Sequence, residues 1–433
     1  MATYMFMECK MMKDLFGFSK GVTEIDKEVL NDCKDVFSNI DSITEYNQAK
    51  VLKAFINAGV SETHFAASTG YGYGDRGREV LEEVFAECVG AEDALIRHNF
   101  VSGTHTLTVG LFGLLRPGDK MLCATGTPYD TLIGVLGIGE HTDGSLKDFG
   151  VEYAQVDLKE DLPDLVGIEK ELKSNNYRML YIQRSRGYSL RPSLTVAQIG
   201  EIIKIAKEVS PNTIVFVDNC YGEFVEETEP TSVGADIIAG SLIKNPGGAI
   251  APTGGYIAGK HDLVEKCAAR LTCPGVGREV GCTLGHTREL FMGLFNAPHV
   301  VGEALKTAVY TAGVFSKLGY FVTPAVSEKR ADIIQAVKLE TPEALIAFCK
   351  GVQAGAPIDS FVVPEPWDMP GYDSKVIMAA GAFTQGASIE LSADAPLREP
   401  FAVWLQGGIN FHSAKIGIML ALESMIKDGV LKL

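Results

Sequence analysis

Short apolar runs alternate with helix-like stretches from about residue 70 to residue 297, and this alternation limits the folds that the chain can adopt. The runs have the length and composition of buried strands, and they lie at residues 121–124, 151–156, 179–182 and 214–217. Alternating strands and helices predict a mostly parallel sheet with helices on both faces, an αβα sandwich. Ligands of such sheets bind beyond the carboxyl ends of the strands, so we expect the functional site there.

The 433-residue chain has room for more than one domain. We predict an N-terminal helical segment at residues 1–65, a large domain at residues 66–299 and a smaller α/β domain at residues 300–433. Strands of the smaller domain are expected at residues 332–338, 375–380 and 388–391, where further apolar runs occur. The predicted fold class is therefore α/β.

Composition excludes several classes of function. The net charge of −16 and the lack of a basic run argue against nucleic acid as a partner. Charged residues interrupt the Met-rich start of the chain, and no apolar stretch is long enough for a membrane span, so we expect neither a signal peptide nor membrane insertion. Nine cysteines without a Cys-x-x-Cys pair predict reduced thiols in a cytoplasm. Eight histidines without a His-x-x-x-His pair give no support for a metal site.

Lys244 and Asp218 carry the clearest chemical pattern. Asp218 directly follows the apolar run at 213–217, and Lys244 lies in a small-residue turn after an apolar stretch that ends at Gly240. In sites for pyridoxal 5'-phosphate (PLP), a lysine amine forms an imine with the cofactor aldehyde, and a carboxylate keeps the pyridine nitrogen protonated. Each residue alone is more often a surface charge or a turn former. Together, in this order, they predict a PLP site.

Two small-residue segments are candidates for holding the phosphate of PLP. Ser102, Gly103 and Thr104 lie between a predicted strand and a predicted helix, where backbone N–H groups and the positive helix end attract anions. Ser241 precedes Lys244 by three residues, and its hydroxyl is a second candidate. An ordinary strand-to-helix turn explains the first segment equally well, and the spacing of Ser241 is weak evidence by itself.

Tyr129 and Arg398 are candidates for contact with a substrate. Tyr129 follows a predicted strand at the sheet edge, where its ring can stack on a pyridine and its hydroxyl can protonate a leaving group. Arg398 follows a predicted strand of the smaller domain, and its guanidinium suits the carboxylate of an amino acid. A packing tyrosine and a surface arginine are the alternatives.

The segment at residues 70–78 combines four glycines, two tyrosines and two arginines. This composition is poor for a core but suits a backbone cradle with a cationic clamp for an anion. Tyr73 and Arg76 are the candidates within it, and a flexible surface loop is the alternative.

These motifs together resemble the Cys/Met-metabolism PLP enzymes, such as methionine gamma-lyase and the cystathionine lyases. Val217–Tyr221 is similar to their Val-Asp-Asn-Thr-Tyr segment. Further motifs follow in the family order, and they lie at Tyr73–Arg76, Ser102–Gly103, Gly118–Asp119 with Tyr129, and Ser241–Lys244. Gln183–Tyr188 and Gln406–Gly408 look like a divergent branch, the methionine gamma-lyase-like proteins often labelled aluminium-resistance proteins.

The resemblance implies PLP fold type I and a homo-oligomer, a dimer or tetramer, whose active sites are shared between subunits. It implies that Lys244 holds PLP, that Asp218 pairs with the ring nitrogen and that Tyr129 stacks on the ring. It also implies that Tyr73 and Arg76 reach the phosphate of a neighbouring subunit. The expected cofactor-binding set is Lys244, Asp218, Ser102, Gly103, Thr104, Tyr129, Ser241, Tyr73, Arg76 and Gln183, with Lys244, Asp218 and Tyr129 as catalytic residues and Arg398 as the substrate-binding residue.

The predicted function is a PLP-dependent carbon–sulfur lyase that acts on a sulfur-containing amino acid such as methionine, cystathionine or a cysteine derivative. An aminotransferase or a β/γ-replacement enzyme is the first alternative, and a PLP-binding protein without turnover is the second. The usual Glu-Ser-Pro-x-Asn-Pro segment of the family is replaced by residues 183–188, and the usual Gly-His after the lysine by residues 245–248. Both segments shape the substrate side, so the amino acid stays open.

Overall fold

The structure, a computed structural model, describes residues 15–369 and 374–433. The described chain forms two compact units. Residues 43–299 with 330–332 form the larger unit, and the smaller unit contains residues 15–42, 300–329 and the described part of 333–433. The division into domains at 65/66 and 299/300 stays a prediction.

The larger unit is built on a central sheet, and both units carry helices. The main helices are α1 (Lys20–Asp32), α2 (Lys34–Asn57), α3 (Arg76–Val89), α4 (Gly103–Leu114), α5 (Asp130–Leu136), α6 (Leu165–Ser174), α7 (Val196–Val209), α8 (His261–Leu271), α9 (Thr287–Lys317), α10 (Pro342–Ala354) and α11 (Phe411–Lys427). The strands are β1 (Asp93–Arg97), β2 (Lys120–Cys123), β3 (Glu152–Gln155), β4 (Leu158–Lys159), β5 (Leu162–Pro163), β6 (Met179–Gln183), β7 (Ile214–Asp218), β8 (Ile237–Ser241), β9 (Gly255–Gly259), β10 (Phe321–Thr323), β11 (Gln335–Lys338), β12 (Val376–Ala380), β13 (Ser392–Pro396) and β14 (Ala402–Gln406).

Seven strands form the central sheet in the order β1-β9-β8-β7-β6-β2-β3. Strands β8, β7, β6, β2 and β3 are parallel, and β9 runs antiparallel to both of its neighbours. The predicted mostly parallel sheet is therefore confirmed. Because parallel strands end at the same edge, the carboxyl ends of β6, β7 and β8 lie side by side.

Helices cover both faces of this sheet. On one face α4 packs so closely that a β-carbon added to Gly110 would lie 2.8 Å from the ring of Phe216. Tyr256 points to the opposite face, because alternate residues of a strand face opposite ways. Its ring centre lies 4.6 Å from that of Phe85 on α3. The architecture is the predicted αβα sandwich.

The smaller unit contains an antiparallel sheet in the order β10-β11-β14-β13-β12. The strand predicted at 388–391 is wrong, because the strand lies at Ser392–Pro396 and residues 388–390 form a turn. Asp394 and Pro396 disfavour a strand in the sequence, but the fold buries this segment and the Gln406 side chain donates a 2.8 Å hydrogen bond to Asp394.

Two further features of the described residues concern membrane-spanning helices and cysteine thiols. None of the described helices has the length and apolar character that crossing a membrane requires. The eight described cysteines are all free thiols, and most of them are buried.

Candidate active site

Asp218 and Gln183 are the last residues of two neighbouring parallel strands. They are register partners between β7 and β6, so their side chains lie on the same edge of the sheet. Ser241 ends β8, the next strand along, and Lys244 follows three residues later. The sheet thus places four of the predicted site residues beyond adjacent strand ends, where ligands of parallel sheets bind.

Asp218 is a buried carboxylate with several donors around it. It accepts hydrogen bonds from the backbone N–H of Cys220 at 3.1 Å and from the Tyr181 hydroxyl at 3.3 Å. Burial nevertheless raises the pKa of Asp218, although the positive charge of Lys244 and these hydrogen bonds oppose the rise. A cation placed against this carboxylate would therefore be strongly favoured.

Lys244 turns its amine onto an aromatic face. Its Nζ lies 3.9 Å from the centre of the Tyr221 ring. Burial alone disfavours the ammonium form, but electrostatic interactions with Cys220, Tyr221 and Asp218 outweigh that effect and raise the pKa of Lys244. Lys244 is therefore favoured as a cation, at the edge of the sheet where Asp218 also lies.

The turn after β7 positions Tyr221, and sequence reasoning did not assign it a role. Tyr221 and Phe224 have φ angles of 71° and 61°, in a region that bulky residues rarely adopt. The side-chain amide of Asn245 donates to the carbonyl oxygens of Tyr221 at 2.9 Å and of Glu223 at 3.0 Å. The residue after Lys244 thus holds the turn that lies under Lys244.

Helix α4 begins at the candidate phosphate turn. The Ser102 hydroxyl caps the helix by accepting a 3.0 Å hydrogen bond from the N–H of His105. The N–H groups of Gly103 and Thr104 precede the first intrahelical hydrogen bond and point out of the positive helix end. These are the groups with which helix ends bind phosphate.

Ser241, at the end of β8, lies against the same helix start. A β-carbon added to Gly103 would lie 3.4 Å from the Cβ of Ser241 and 3.8 Å from the Sγ of Cys220, so the start of α4 lies in direct contact with both side chains. The Ser241 hydroxyl is buried and makes no hydrogen bond with any residue that the structure describes. Because buried hydroxyls are almost always paired, its orphan state fits an anion at this place.

Gln183 braces the segment that carries Tyr129. Its Oε1 accepts a 2.7 Å hydrogen bond from the N–H of Tyr129, and its Nε2 donates to the carbonyl of Ser185 at 3.0 Å. Gly187 has a φ of 59°, and a β-carbon there would lie 3.1 Å from the Tyr129 ring. The predicted direct role of Gln183 toward the cofactor stays a prediction, while its contacts show a role in placing Tyr129.

Arg184 forms a buried ionic network that sequence reasoning missed. Its side chain is fully buried and contacts Glu226 at 3.1 Å, Glu229 at 3.2 Å and Asn219 at 2.8 Å. A β-carbon added to Gly222 would lie 2.5 Å from the Arg184 side chain. The network ties the end of β6 to the turn after β7, and the acidic cluster at residues 223–229 was its only trace in the sequence.

The loop at residues 70–78 divides into an internal and an external part. Asp75 caps α3 by accepting a 3.0 Å hydrogen bond from the N–H of Arg78. The buried Arg78 guanidinium donates to the carbonyl oxygens of Gly72 at 3.0 Å and Gly281 at 2.7 Å. Tyr73 is 67% exposed and Arg76 is also exposed. Arg78 thus fixes the loop from inside, and Tyr73 and Arg76 project outward.

Arg398 lies in the other unit, in the turn that joins β13 to β14, and it is exposed. Its role toward a substrate carboxylate stays a prediction. Among the described residues, two groups have ligand atoms close enough for a metal ion, Asp93–His261–Glu265 and His141–Asp143–Asp148. Arg278 already pairs with Asp93 at 2.9 Å and with Glu265 at 2.7 Å, so an arginine provides the positive charge in the first group.

The architecture is that of PLP fold type I. The PLP-dependent protein YhfS from Escherichia coli matches with a TM-score of 0.61 at 16% identity, over 90% of this chain and 97% of that protein. Cystathionine gamma synthase from Xanthomonas oryzae pv. oryzae matches with a TM-score of 0.58 at 15% identity, over 84% of this chain and 92% of that protein. At such low identity the likeness is one of fold.

The chain belongs to the methionine gamma-lyase family, whose sequence profile matches residues 22–426. A carbon–sulfur lyase involved in aluminum resistance from Clostridium novyi NT is 51% identical with a TM-score of 0.93, over 96% of this chain and 98% of that structure. The protein YnbB of Bacillus subtilis (strain 168) is 48% identical over 93% of this chain and 96% of its own length. L-methionine gamma-lyase of Pseudomonas putida is 30% identical over 43% of this chain and 42% of its length.

Proposed function

We propose that this protein is a PLP-dependent carbon–sulfur lyase that eliminates a thiol from a sulfur-containing amino acid. The observation that carries the proposal is the cluster at the carboxyl edge of the sheet. It joins the lysine Lys244, the buried carboxylate Asp218, and the orphan hydroxyl of Ser241 at the start of α4.

The residues present fit the parts of PLP. The N–H groups of Gly103 and Thr104 with the Ser241 hydroxyl suit the phosphate, because all three are donors without a partner among the described residues. Asp218 suits the pyridine nitrogen, because its buried carboxylate favours a cation. Lys244 suits the aldehyde carbon, because its side chain provides an amine at this edge of the sheet.

When bound, PLP supplies an electron sink that makes the α-proton of an attached amino acid acidic. Asp218 contributes by holding a proton on the ring nitrogen. Lys244 in its neutral form would be the base that takes the α-proton. Typical general bases contribute about 10²- to 10⁴-fold to the rate.

Tyr129 is the proposed acid for the departing sulfur. The Gln183 amide fixes the backbone of Tyr129, and Gly187 leaves room for its ring. A hydroxyl held in this way can donate its proton to the thiolate as the carbon–sulfur bond breaks. The exposed Arg398 is the proposed partner of the substrate carboxylate.

The external part of the 70–78 loop supports a homo-oligomer with shared sites. An aromatic ring and a guanidinium that project from a rigidly braced loop are poor choices for a free surface but good ones for an interface. We propose that Tyr73 and Arg76 complete the phosphate site of a second copy. The free thiols support a reducing compartment, the cytoplasm.

The test is product analysis with purified protein and a panel that contains L-methionine, L-cystathionine, L-cysteine and L-alanine. Elimination releases a keto acid, ammonia and a thiol in equal amounts from a sulfur amino acid and none of them from alanine. Lys244→Ala should abolish release, whereas Lys266→Ala, which removes an exposed lysine, should not.

Three results would contradict the proposal. A keto acid that appears only with an amino acceptor would identify an aminotransferase. PLP binding without turnover of any panel member would identify a cofactor-binding protein. Retention of activity in Lys244→Ala would show that the reaction does not take place at the proposed site.

A further inference from the structure

Tyr221 lies under the amine of Lys244 in a geometry that a packing role does not require. The Nζ of Lys244 is 3.9 Å from the centre of the Tyr221 ring, well within the roughly 6 Å limit of a cation–π contact. Within the described part of the chain, this Nζ makes no ion pair shorter than 4.0 Å. The aromatic face is therefore a close source of negative potential for an amine that has no direct ion pair among the described residues.

The backbone is strained to put the ring there. Tyr221 has a φ of 71°, which is uncommon for an aromatic residue and is kept only where surrounding contacts enforce it. The enforcing contact is the 2.9 Å hydrogen bond from the Asn245 side chain to the Tyr221 carbonyl. Asn245 is fully buried and adjoins Lys244, so one short segment provides both the amine and the anchor of the ring.

We propose that Tyr221 is a positioning residue whose ring face holds the ε-ammonium of Lys244 and favours its charged form. The functional meaning rests on the proposed function, because Lys244 must leave the cofactor and later return to it. While Lys244 is free, the ring keeps its amine within reach of the site instead of letting it turn toward the carboxylates. The protonated state is then the resting state of the free lysine, and proton loss commits it to reaction.

Several titratable groups face Lys244, and the test must separate the ring from them. They are Asp218, Cys220, Glu223 and the Tyr221 hydroxyl itself. Replacing Tyr221 by phenylalanine removes the hydroxyl and keeps the face. Stepwise fluorination of that phenylalanine then weakens the negative face and keeps the shape, while the other three groups stay unchanged.

The experiment measures the pKa of Lys244 in the full chain after removal of PLP with hydroxylamine. Competitive acetylation with acetic anhydride at a series of pH values, followed by mass spectrometry, reports the neutral fraction of this amine. The series contains Tyr221→Phe and its 4-fluoro, 3,5-difluoro and pentafluoro analogues. We expect the pKa of Lys244 to fall stepwise, by about one unit across the series.

Circular dichroism identifies the variants that fold. Among those variants, the change in the pKa of Lys244 with increasing fluorination decides whether the proposal holds. A pKa of Lys244 that stays constant from phenylalanine to the most fluorinated folded member overturns the proposal. Tyr221→Leu adds a matched aliphatic point, expected at the low end. Acetylation needs no cofactor, so a failure here is distinct from a failure of the lyase assignment, which product analysis decides.

Discussion

The Oε1 of Gln183 accepts a 2.7 Å hydrogen bond from the backbone N–H of Tyr129, and this bond joins the carboxyl end of β6 to the start of α5. Gln183 is buried, and its amide also donates to the Ser185 carbonyl. The Gln183 side chain therefore ties the backbone of Tyr129 to the sheet edge.

Gln183→Leu should lower kcat for thiol release by about tenfold and destabilise the fold by about 1–3 kcal/mol, because it removes the acceptor of the Tyr129 N–H and one of the two donors to the Ser185 carbonyl. Gln183→Glu keeps the acceptor for Tyr129 and should recover most of kcat. Steady-state kinetics and urea unfolding give the two values. Equal kcat in the leucine and glutamate variants would contradict a placing role.

Ser241→Ala should weaken PLP binding by about tenfold or more and leave stability without cofactor unchanged or slightly higher. A hydrogen bond to a charged group is worth about 1.5–3 kcal/mol, and the hydroxyl has no protein partner to lose. Equilibrium dialysis of PLP and thermal unfolding of the cofactor-free chain are the measurements. Ser210→Ala is the control, because the Ser210 hydroxyl pairs with that of Thr213. An unaltered PLP affinity in Ser241→Ala would exclude the Ser241 hydroxyl from the phosphate site.

Glu223 should make the fold less stable as the pH rises through its folded pKa. Burial raises the pKa of Glu223 from 4.5 to about 8, although a hydrogen bond from Tyr256 at 2.7 Å opposes the rise. Between these values the unfolded chain ionises and the folded chain does not, so stability is fully present below pH 4.5 and is lost toward pH 8.

Glu223→Gln should remove this pH dependence. In the native chain, Glu223 should lower the free energy of unfolding by on the order of 1 kcal/mol for each pH unit inside the window. Urea unfolding at pH 5, 6.5 and 8 measures the difference between the variant and the native chain. The exposed Glu343→Gln is the matched control. A constant difference between Glu223→Gln and the native chain at all three values would show that Glu223 is ionised in the fold.

Arg76→Ala and Lys244→Ala should each be inactive and should complement one another after unfolding and joint refolding. If Arg76 serves the site of a neighbouring copy, a mixed dimer carries one intact site, and random pairing restores about a quarter of the native sites. Activity after mixing, with subunit exchange followed by native mass spectrometry, gives the result. Mixed oligomers without activity would place Arg76 and Lys244 in the same site.

The sequence predicted the parallel core well because its strands are continuous apolar runs. Strand β7 was expected at 214–217 and lies at Ile214–Asp218. Strand β9 was not predicted, since two of its five residues are glycines, and it is held by pairing with β1 and β8 on either side. Strand β13 was misplaced for a related reason, because burial of Asp394 depends on a hydrogen bond from a distant glutamine.

The candidate site was predictable as far as strand ends determine it. Asp218 and Ser241 end strands, and Ser102 caps a helix, so local patterns indicate them. Tyr221 depends on a left-handed backbone angle and on a side chain that is 24 residues away in sequence, and neither is visible as a periodic pattern. The bracing role of Arg78 was hidden because it shares its loop with the exposed Arg76.

Strand β9 also has a consequence for biosynthesis. The two halves of the proposed phosphate cradle are Ser102, which follows β1, and Ser241, which ends β8, and β9 is the only strand between β1 and β8 in the described sheet. A growing chain can therefore not complete the proposed cofactor site until Gly255–Gly259 has left the ribosome and inserted between its two neighbours. Cofactor capture should therefore follow the synthesis of β9, which is the last strand of the central sheet to be made.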